Sequence, residues 1–257
     1  MIILKSFVIA FSLYSRIPMP QFAWEKEDMR YHLIFFPWVG GVIGGVIFLL
    51  LKLFGLCELP LILRIAAVSF VPILITGGFH LDGFMDVSDA FSSYGSKEKK
   101  LEILKDPHIG AFAVISLLGF SILWAGALSY LLEKINGGTA LVLVLCFVLA
   151  RAVSGITAIG FKKARQDGML KRETDGAGRI CMGILLAETA LCVGAMLWAD
   201  IYGGLAVLAA AAVFIVFYRI KMYKEFGGVS GDTAGYFVSV CELICIIALA
   251  VRSAVCI

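Results

Sequence analysis

The chain has 257 residues, of which 61% are hydrophobic and only 16% are charged, and its formal net charge at pH 7 is +3. A soluble domain of this length cannot bury so much apolar surface, so the composition excludes a soluble globular protein and predicts an all-α, polytopic membrane helix bundle. Nothing resembles a linker, which predicts one membrane-embedded domain over residues 1–257.

The predicted helices begin with an apolar N-terminal segment that is short for a membrane span. Residues 1–15 carry Lys5 inside this segment, which favours an interfacial or re-entrant helix. Pro72 predicts a kink in the second of the longer helices that follow. Seven longer apolar segments, each near the roughly 20 residues that a bilayer requires, predict membrane spans at 33–55, 60–79, 109–132, 139–161, 180–199, 201–218 and 234–251.

Basic residues are distributed unequally between the two sides of these spans. The four long loops, 16–32, 80–108, 162–179 and 219–233, hold 16 lysines and arginines, against three on the opposite side. The positive-inside rule therefore orients the long loops of this multi-pass protein to the cytoplasm. Every polar motif lies on these loops, which favours an enzyme with a cytosolic active site. A cation-coupled transporter, with an acidic ion site, is the alternative from another class.

The segment Gly77–Asp89, GGFHLDGFMDVSD, contains three carboxylates and a histidine directly after an apolar run. In a helix, Asp82, Asp86 and Asp89 stand at i, i+4 and i+7 and share one face. Such carboxylates repel one another unless a cation lies among them, and oxygen ligands suit Mg²⁺ or Mn²⁺. The sequence therefore predicts a Mg²⁺ site at these three residues. A solvated acidic loop is the alternative.

Two further cytosolic loops carry groups suited to binding phosphate. The loop at 161–168 is basic and includes Arg165, which we expect to contact phosphate oxygens. The loop at 227–233 is glycine-rich, and Gly228 and Gly231 allow close backbone approach to an anion, while Asp232 adds a carboxylate. Asp106 and His108 follow a charged helical run that ends at Lys105, and the chain there could return towards the acidic site.

Three ionisable residues fall inside predicted spans. At about 1.5 Å rise per residue, Arg151, Glu188 and Glu242 lie at a similar depth, ~12–15 Å below the cytosolic surface. Charges in the hydrocarbon need a partner or a wet cavity. Arg151 is therefore predicted to pair with Glu188 or Glu242 under the acidic segment. It could hold a substrate phosphate, or form a structural bridge only, and the sequence leaves both interpretations open.

The motifs in this order resemble those of the cobalamin synthase family, the adenosylcobinamide-GDP ribazoletransferases. The resemblance covers nearly the whole chain: an opening SRIPMP segment with Arg16, GGFHLDGFMDVSD, LEILKD with Ile109 and Gly110, and GGVSGDTAG with Glu242. Ala90 and His108 depart from the family pattern, at positions where glycine and arginine are expected.

The resemblance implies a location in the prokaryotic inner membrane, a reaction and a set of residues. The expected substrates are adenosylcobinamide-GDP and α-ribazole or its 5′-phosphate, GMP is released, and adenosylcobalamin or its phosphate forms. His80, Asp82, Asp86, Asp89 and Asp232 are then the expected catalytic groups, with His80 as the general base. The expected substrate contacts are Arg16, Lys105, Asp106, Arg151, Arg165, Gly228, Gly231 and Glu242.

Other partners follow from the predicted location and chemistry of the chain. We expect contact with membrane lipid and no binding of nucleic acid, and the sequence leaves homo-oligomerisation open. A membrane phosphotransferase that acts on nucleotide-linked lipid alcohols, of the CDP-alcohol type, shares the chemistry and is a further alternative.

Overall fold

The computed structural model describes residues 2–25, 27–166 and 168–255, and about 80% of the chain is helical. A β-bridge between Lys163 and Val229 is the one pairing of extended backbone within those ranges. The all-α prediction is therefore confirmed. In chain order the helices are α1 Ile2–Tyr14, a 3₁₀ helix Asp28–Phe35, α2 Phe36–Phe54, α3 Leu61–Thr76, α4 Phe79–Ser92, α5 Lys97–Ile103, α6 Ala111–Lys134, α7 Gly137–Gly160, α8 Met169–Thr174, α9 Arg179–Ala199, α10 Ile201–Glu225 and α11 Gly231–Val255.

Six of the described helical segments are long and apolar enough to cross a membrane: Asp28–Phe54, which joins the 3₁₀ helix to α2, and α6, α7, α9, α10 and α11. A seventh is reached if α3 and α4 are counted as one bent span. The chain is thus a multi-pass membrane protein. Its short N-terminal helix is α1, and Met1 of the predicted segment 1–15 lies outside the described residues.

Helix α10 ends at Glu225, seven residues beyond the predicted end of its span at 218. The segment after 218 is polar, and hydropathy alone therefore ends the span too early. Lys221 and Glu225, four residues apart on this extension, form an ion pair of 3.0 Å that adds to the stability of the helix end.

Helix α7 is the centre of the bundle, with 78% of its apolar window buried inside the protein. Its neighbour α2 approaches closely because it has glycines where the two backbones meet. A Cβ atom added at Gly44 would lie 2.6 Å from the carbonyl oxygen of Val144 in α7. By contrast, only 17% of the α6 window is buried, which leaves most of α6 exposed on the outside of the bundle.

The chain bends sharply between α3 and α4, whose axes differ by 94°. Gly77 and Gly78 both have left-handed backbone angles, with φ of +70° and +82°. Residues with a side chain rarely adopt such angles, so this glycine pair ends α3 and starts α4. Pro72 lies inside α3, and the bend falls after Thr76 rather than at the proline.

Candidate functional site

Helix α4 carries the three predicted metal ligands on one face. It begins at Phe79, so Asp82, Asp86 and Asp89 are all helical and retain the predicted spacing. Asp82 is exposed, and Asp86 and Asp89 are half-buried. The other face of α4 is buried in the bundle. The acidic segment is therefore an amphipathic helix, and the alternative of a solvated loop does not describe it.

Asp232 joins these carboxylates because the start of α11 packs directly on α4. A Cβ atom added at Gly83 would lie 2.6 Å from the backbone oxygen of Asp232. The charges of Asp82, Asp232 and Asp89 all act on Asp86. Glycine at 83 is thus what allows two helices, distant in sequence, to bring four carboxylates into one electrostatic cluster.

The donor chemistry of this cluster fits a hard divalent cation. Within the described residues, no group of three or more His, Cys, Asp or Glu side chains is arranged to hold a metal ion as it stands. The carboxylates follow one another along α4, and that of Asp89 lies against Gly110 at the start of α6. Mg²⁺ takes only one or two carboxylates and completes its shell with water and substrate phosphates, so a compact protein cage is not required.

A polar cavity of about 170 Å³ lies beside the cluster, between α4, the basic loop and the start of α11. Its charged lining consists of Asp82, Asp232, Arg165 and Lys171. The cavity therefore has carboxylates and cations on its walls, the combination needed to hold a metal and a phosphate together. Arg165 and Gly231, two of the predicted substrate contacts, also line this cavity.

The basic loop and the glycine-rich loop are held together by backbone hydrogen bonds. The Ala164 N–H donates to the Val229 oxygen over 2.9 Å, and the Val229 N–H donates to the Lys162 oxygen over 2.8 Å. Gly228 is buried at this contact, where an added Cβ would lie 2.7 Å from the Ala164 nitrogen. Arg165 is fixed from the other side by donating to the Leu101 oxygen. Gly228 therefore has a packing role in positioning Arg165.

Arg151 is paired with Glu242, one of its two predicted partners. Its Nη1 atom lies 2.5 Å from Glu242 Oε1, and both side chains are buried. Glu188 instead accepts a hydrogen bond of 2.9 Å from the indole N–H of Trp38. The pair lies against an apolar cavity, away from the polar one, because Arg151 and Glu242 belong to α7 and α11 deep in the bundle.

His80 is buried on the apolar side of α4 and packs against Phe36, with ring centroids 5.5 Å apart. It lines the apolar cavity with Arg151 and is not part of the polar cavity's lining. The sequence does not predict which way the His80 side chain points, because it does not define the first residue of α4.

The remaining predicted contacts lie at the edge of the site. Arg16 is exposed, and its side chain lies over Gly77 in the turn before α4. Lys105 and Asp106 are exposed, and Asp106 is bound to the His108 ring over 2.6 Å. None of these three predicted residues lines the polar cavity.

One polar cluster had no signal in the sequence. The Tyr14 hydroxyl donates to Glu173 over 3.4 Å, and the His32 Nε2 atom lies 3.1 Å from the same hydroxyl. Burial raises the pKa of Glu173 to about 7. Tyr14 and Glu173 line a small cavity that His80 and Gly231 also line, next to the polar cavity. These three residues are far apart in the chain, so no local motif connects them.

Comparison with known proteins gives a consistent result over nearly the whole chain. The family model described as cobalamin-5-phosphate synthase matches residues 6–250. An adenosylcobinamide-GDP ribazoletransferase of Lachnoclostridium phytofermentans is 41% identical over 256 residues, covering 98% of this chain and 95% of the relative. Proteins of the same name from Clostridium botulinum and Listeria monocytogenes are 34% and 31% identical, covering 93% and 96% of this chain and 94% and 97% of the relatives. No solved structure matches the chain.

Proposed function

The chain belongs to the cobalamin-5-phosphate synthase family and is a transferase of cobalamin biosynthesis, and from this membership we propose the reaction that it catalyses. A ribose hydroxyl of α-ribazole, or of its 5′-phosphate, attacks the phosphate on the corrinoid side chain of adenosylcobinamide-GDP. The bond from that phosphate to GMP breaks, GMP leaves, and adenosylcobalamin or its phosphate forms.

The observation that carries this proposal is the meeting of acidic and basic side chains around one polar cavity. Asp82 and Asp232 line it opposite Arg165 and Lys171, and Asp86 stands one turn further along α4. Transfer to a phosphate requires its negative charge to be neutralised and its leaving group to be stabilised. Asp82, Asp86 and Asp89 would hold Mg²⁺, which supplies that charge neutralisation at the diphosphate.

The chain's own cations have a separate role in this proposal. Arg165, held in place through the Leu101 oxygen, would bind phosphate oxygens from the side opposite α4. Lys171 adds a second positive charge there. Arg16, Lys105, Asp106, Gly228, Arg151 and Glu242 as substrate contacts, and His80 as general base, stay predictions.

We further propose that the polar cavity opens to the cytoplasm from the inner membrane. The loops around it are those that carry the excess of lysine and arginine. The soluble nucleotide-linked substrate would then reach the site without crossing the bilayer. Contact with lipid stays a prediction, and homo-oligomerisation stays open.

The test is release of GMP by detergent-purified protein supplied with Mg²⁺, adenosylcobinamide-GDP and α-ribazole. We expect Asp86→Ala to lower kcat at least ~100-fold, equivalent to about 3 kcal/mol of barrier, with an unchanged Tm. Glu98→Ala, which removes an exposed carboxylate on α5, is the matched control and should keep wild-type kinetics. Near-normal Mg²⁺-dependent turnover by Asp86→Ala would contradict the metal site, and absence of GMP release by the wild type would contradict the reaction.

A further inference from the structure

The apolar cavity, which has a volume of about 380 Å³, lies on the other side of α4 from the polar cavity. Its walls come from α3, α4, α6, α7 and α11. Phe120 and Trp124 form one wall, with stacked rings 5.6 Å apart between centroids. Its size falls within the range of small-molecule binding sites, which are mostly apolar with a few placed polar groups.

Two residues that line this cavity each carry a buried polar atom that has no hydrogen-bond partner among the described residues. These atoms are Nε of Arg151 and Nε2 of His80, on side chains that are almost completely buried. The Nη1 atom of Arg151 is occupied by Glu242 and by the Phe147 oxygen, at 2.5 and 2.9 Å. A buried donor without a partner is costly, so a ligand that offers an acceptor at this point gains a hydrogen bond that the protein itself lacks.

The apolar cavity and the polar cavity both adjoin the small cavity that Glu173 lines. His80 lines both the apolar and the small cavity, while Phe79 and Gly231 line both the small and the polar cavity. A ligand with an apolar heteroaromatic end and a polar hydroxylated end could therefore place the first near Arg151 and the second near the carboxylates of α4.

We propose that the apolar cavity binds the base of the ribazole substrate. This inference rests on the proposed function. Ribazole is the riboside of an alkylated benzimidazole, which is flat, largely apolar, and has one unsubstituted ring nitrogen. That nitrogen accepts the hydrogen bond from Arg151 Nε, and the ring system packs against Phe120 and Trp124. His80 contacts the ligand where the cavities meet.

The other groups of the two substrates match this cavity poorly. The corrinoid macrocycle is too large for it. Guanine has several donors and acceptors along its edge, and the aromatic and aliphatic walls would leave most of them unpaired. A lipid acyl chain fits the apolar walls but offers no acceptor to Arg151, so it is the competing occupant that an experiment must separate.

Two matched probes separate these occupants without any corrinoid substrate. 1-Methylbenzimidazole carries the acceptor nitrogen, whereas 1-methylindole has a C–H group at the same ring position and is the more apolar of the two. We expect the wild-type protein in detergent to bind 1-methylbenzimidazole about tenfold more tightly, because only this probe accepts from Arg151. A cavity that merely takes up lipid should prefer 1-methylindole.

Three variants test the location of the site. Ala125→Phe adds a ring into the cavity from a half-buried position on α6 and should weaken 1-methylbenzimidazole binding at least tenfold. Ala190→Phe, on the exposed side of α9, is the matched control and should bind as the wild type does. Arg151→Met should abolish the preference between the probes. Should that variant fail to fold, Ala125→Phe decides alone.

Kinetics supply a second readout. In Ala125→Phe we expect the KM for α-ribazole to rise about as much as the dissociation constant of the probe, with the KM for adenosylcobinamide-GDP within twofold of wild type. Equal binding of the two probes, or unchanged probe binding in Ala125→Phe, would overturn the assignment. Failure of the proposed reaction is distinguishable, because it is seen as absent GMP release by the wild type irrespective of probe binding.

Discussion

Replacing Gly83 by alanine tests whether the contact between α4 and α11 assembles the carboxylate cluster. The added Cβ would lie 2.6 Å from the Asp232 oxygen and 3.1 Å from its Cα, whereas ordinary contacts begin at 3.4 Å. Both neighbouring atoms are backbone, so the helices must move apart. Overpacking of this kind costs about 1–3 kcal/mol, and the higher helix propensity of alanine returns up to ~1 kcal/mol.

The larger effect is expected on activity. Separation of the helices moves Asp232 away from Asp82 and Asp86, and a displacement near 1 Å in a phosphoryl-transfer site can cost about 100-fold in rate. We therefore expect Gly83→Ala to lower kcat by one to two orders of magnitude with a modest fall in Tm.

Gly45→Ala is the matched control, since a Cβ at this exposed position of α2 meets nothing within 4 Å. It should keep wild-type GMP release and an equal or higher Tm, because alanine is the better helix former. The reasoning is refuted if Gly83→Ala and Gly45→Ala behave alike in both thermal unfolding and turnover.

Three further predictions follow from ionisable and reactive side chains. Arg151→Met should destabilise the protein by about 3–5 kcal/mol, because it leaves Glu242 buried and unpaired. Adding Glu242→Gln should restore part of the lost Tm, and a wild-type Tm in Arg151→Met alone would contradict this prediction. Burial raises the pKa of Glu173 from 4.5 to about 7, so the folded state binds more protons than the unfolded one between these values. Stability should fall by up to roughly 3 kcal/mol as pH rises from 4.5 to above 7, and Glu173→Gln should lose that slope in thermal unfolding. An impermeant maleimide should label exposed Cys57 on intact cells, whereas Tyr94→Cys in a Cys57→Ser background should add label only after permeabilisation; the reverse pattern contradicts the topology.

Local signals in the sequence were sufficient to predict the helical architecture and the acidic face of α4. Hydropathy identifies spans because an unpaired backbone is too costly in lipid, so each long apolar segment must form a helix. The spacing of Asp82, Asp86 and Asp89 likewise depends only on the period of one helix. The pairing of Arg151 with a glutamate was predictable in kind, since a charge at that depth requires a partner.

Tertiary packing decided which side chains meet. Glu242 rather than Glu188 faces Arg151 because of how α11 and α9 pack around α7. The periodicity of a single helix cannot predict which of the two glutamates does so. Asp232 reaches the acidic face of α4 through a glycine contact between distant segments. The cluster of Tyr14, His32 and Glu173 and the orientation of His80 into an apolar cavity depend in the same way on non-local contacts. A sequence specifies which residues share a face, whereas the packing of faces against one another determines which chemical groups share a site.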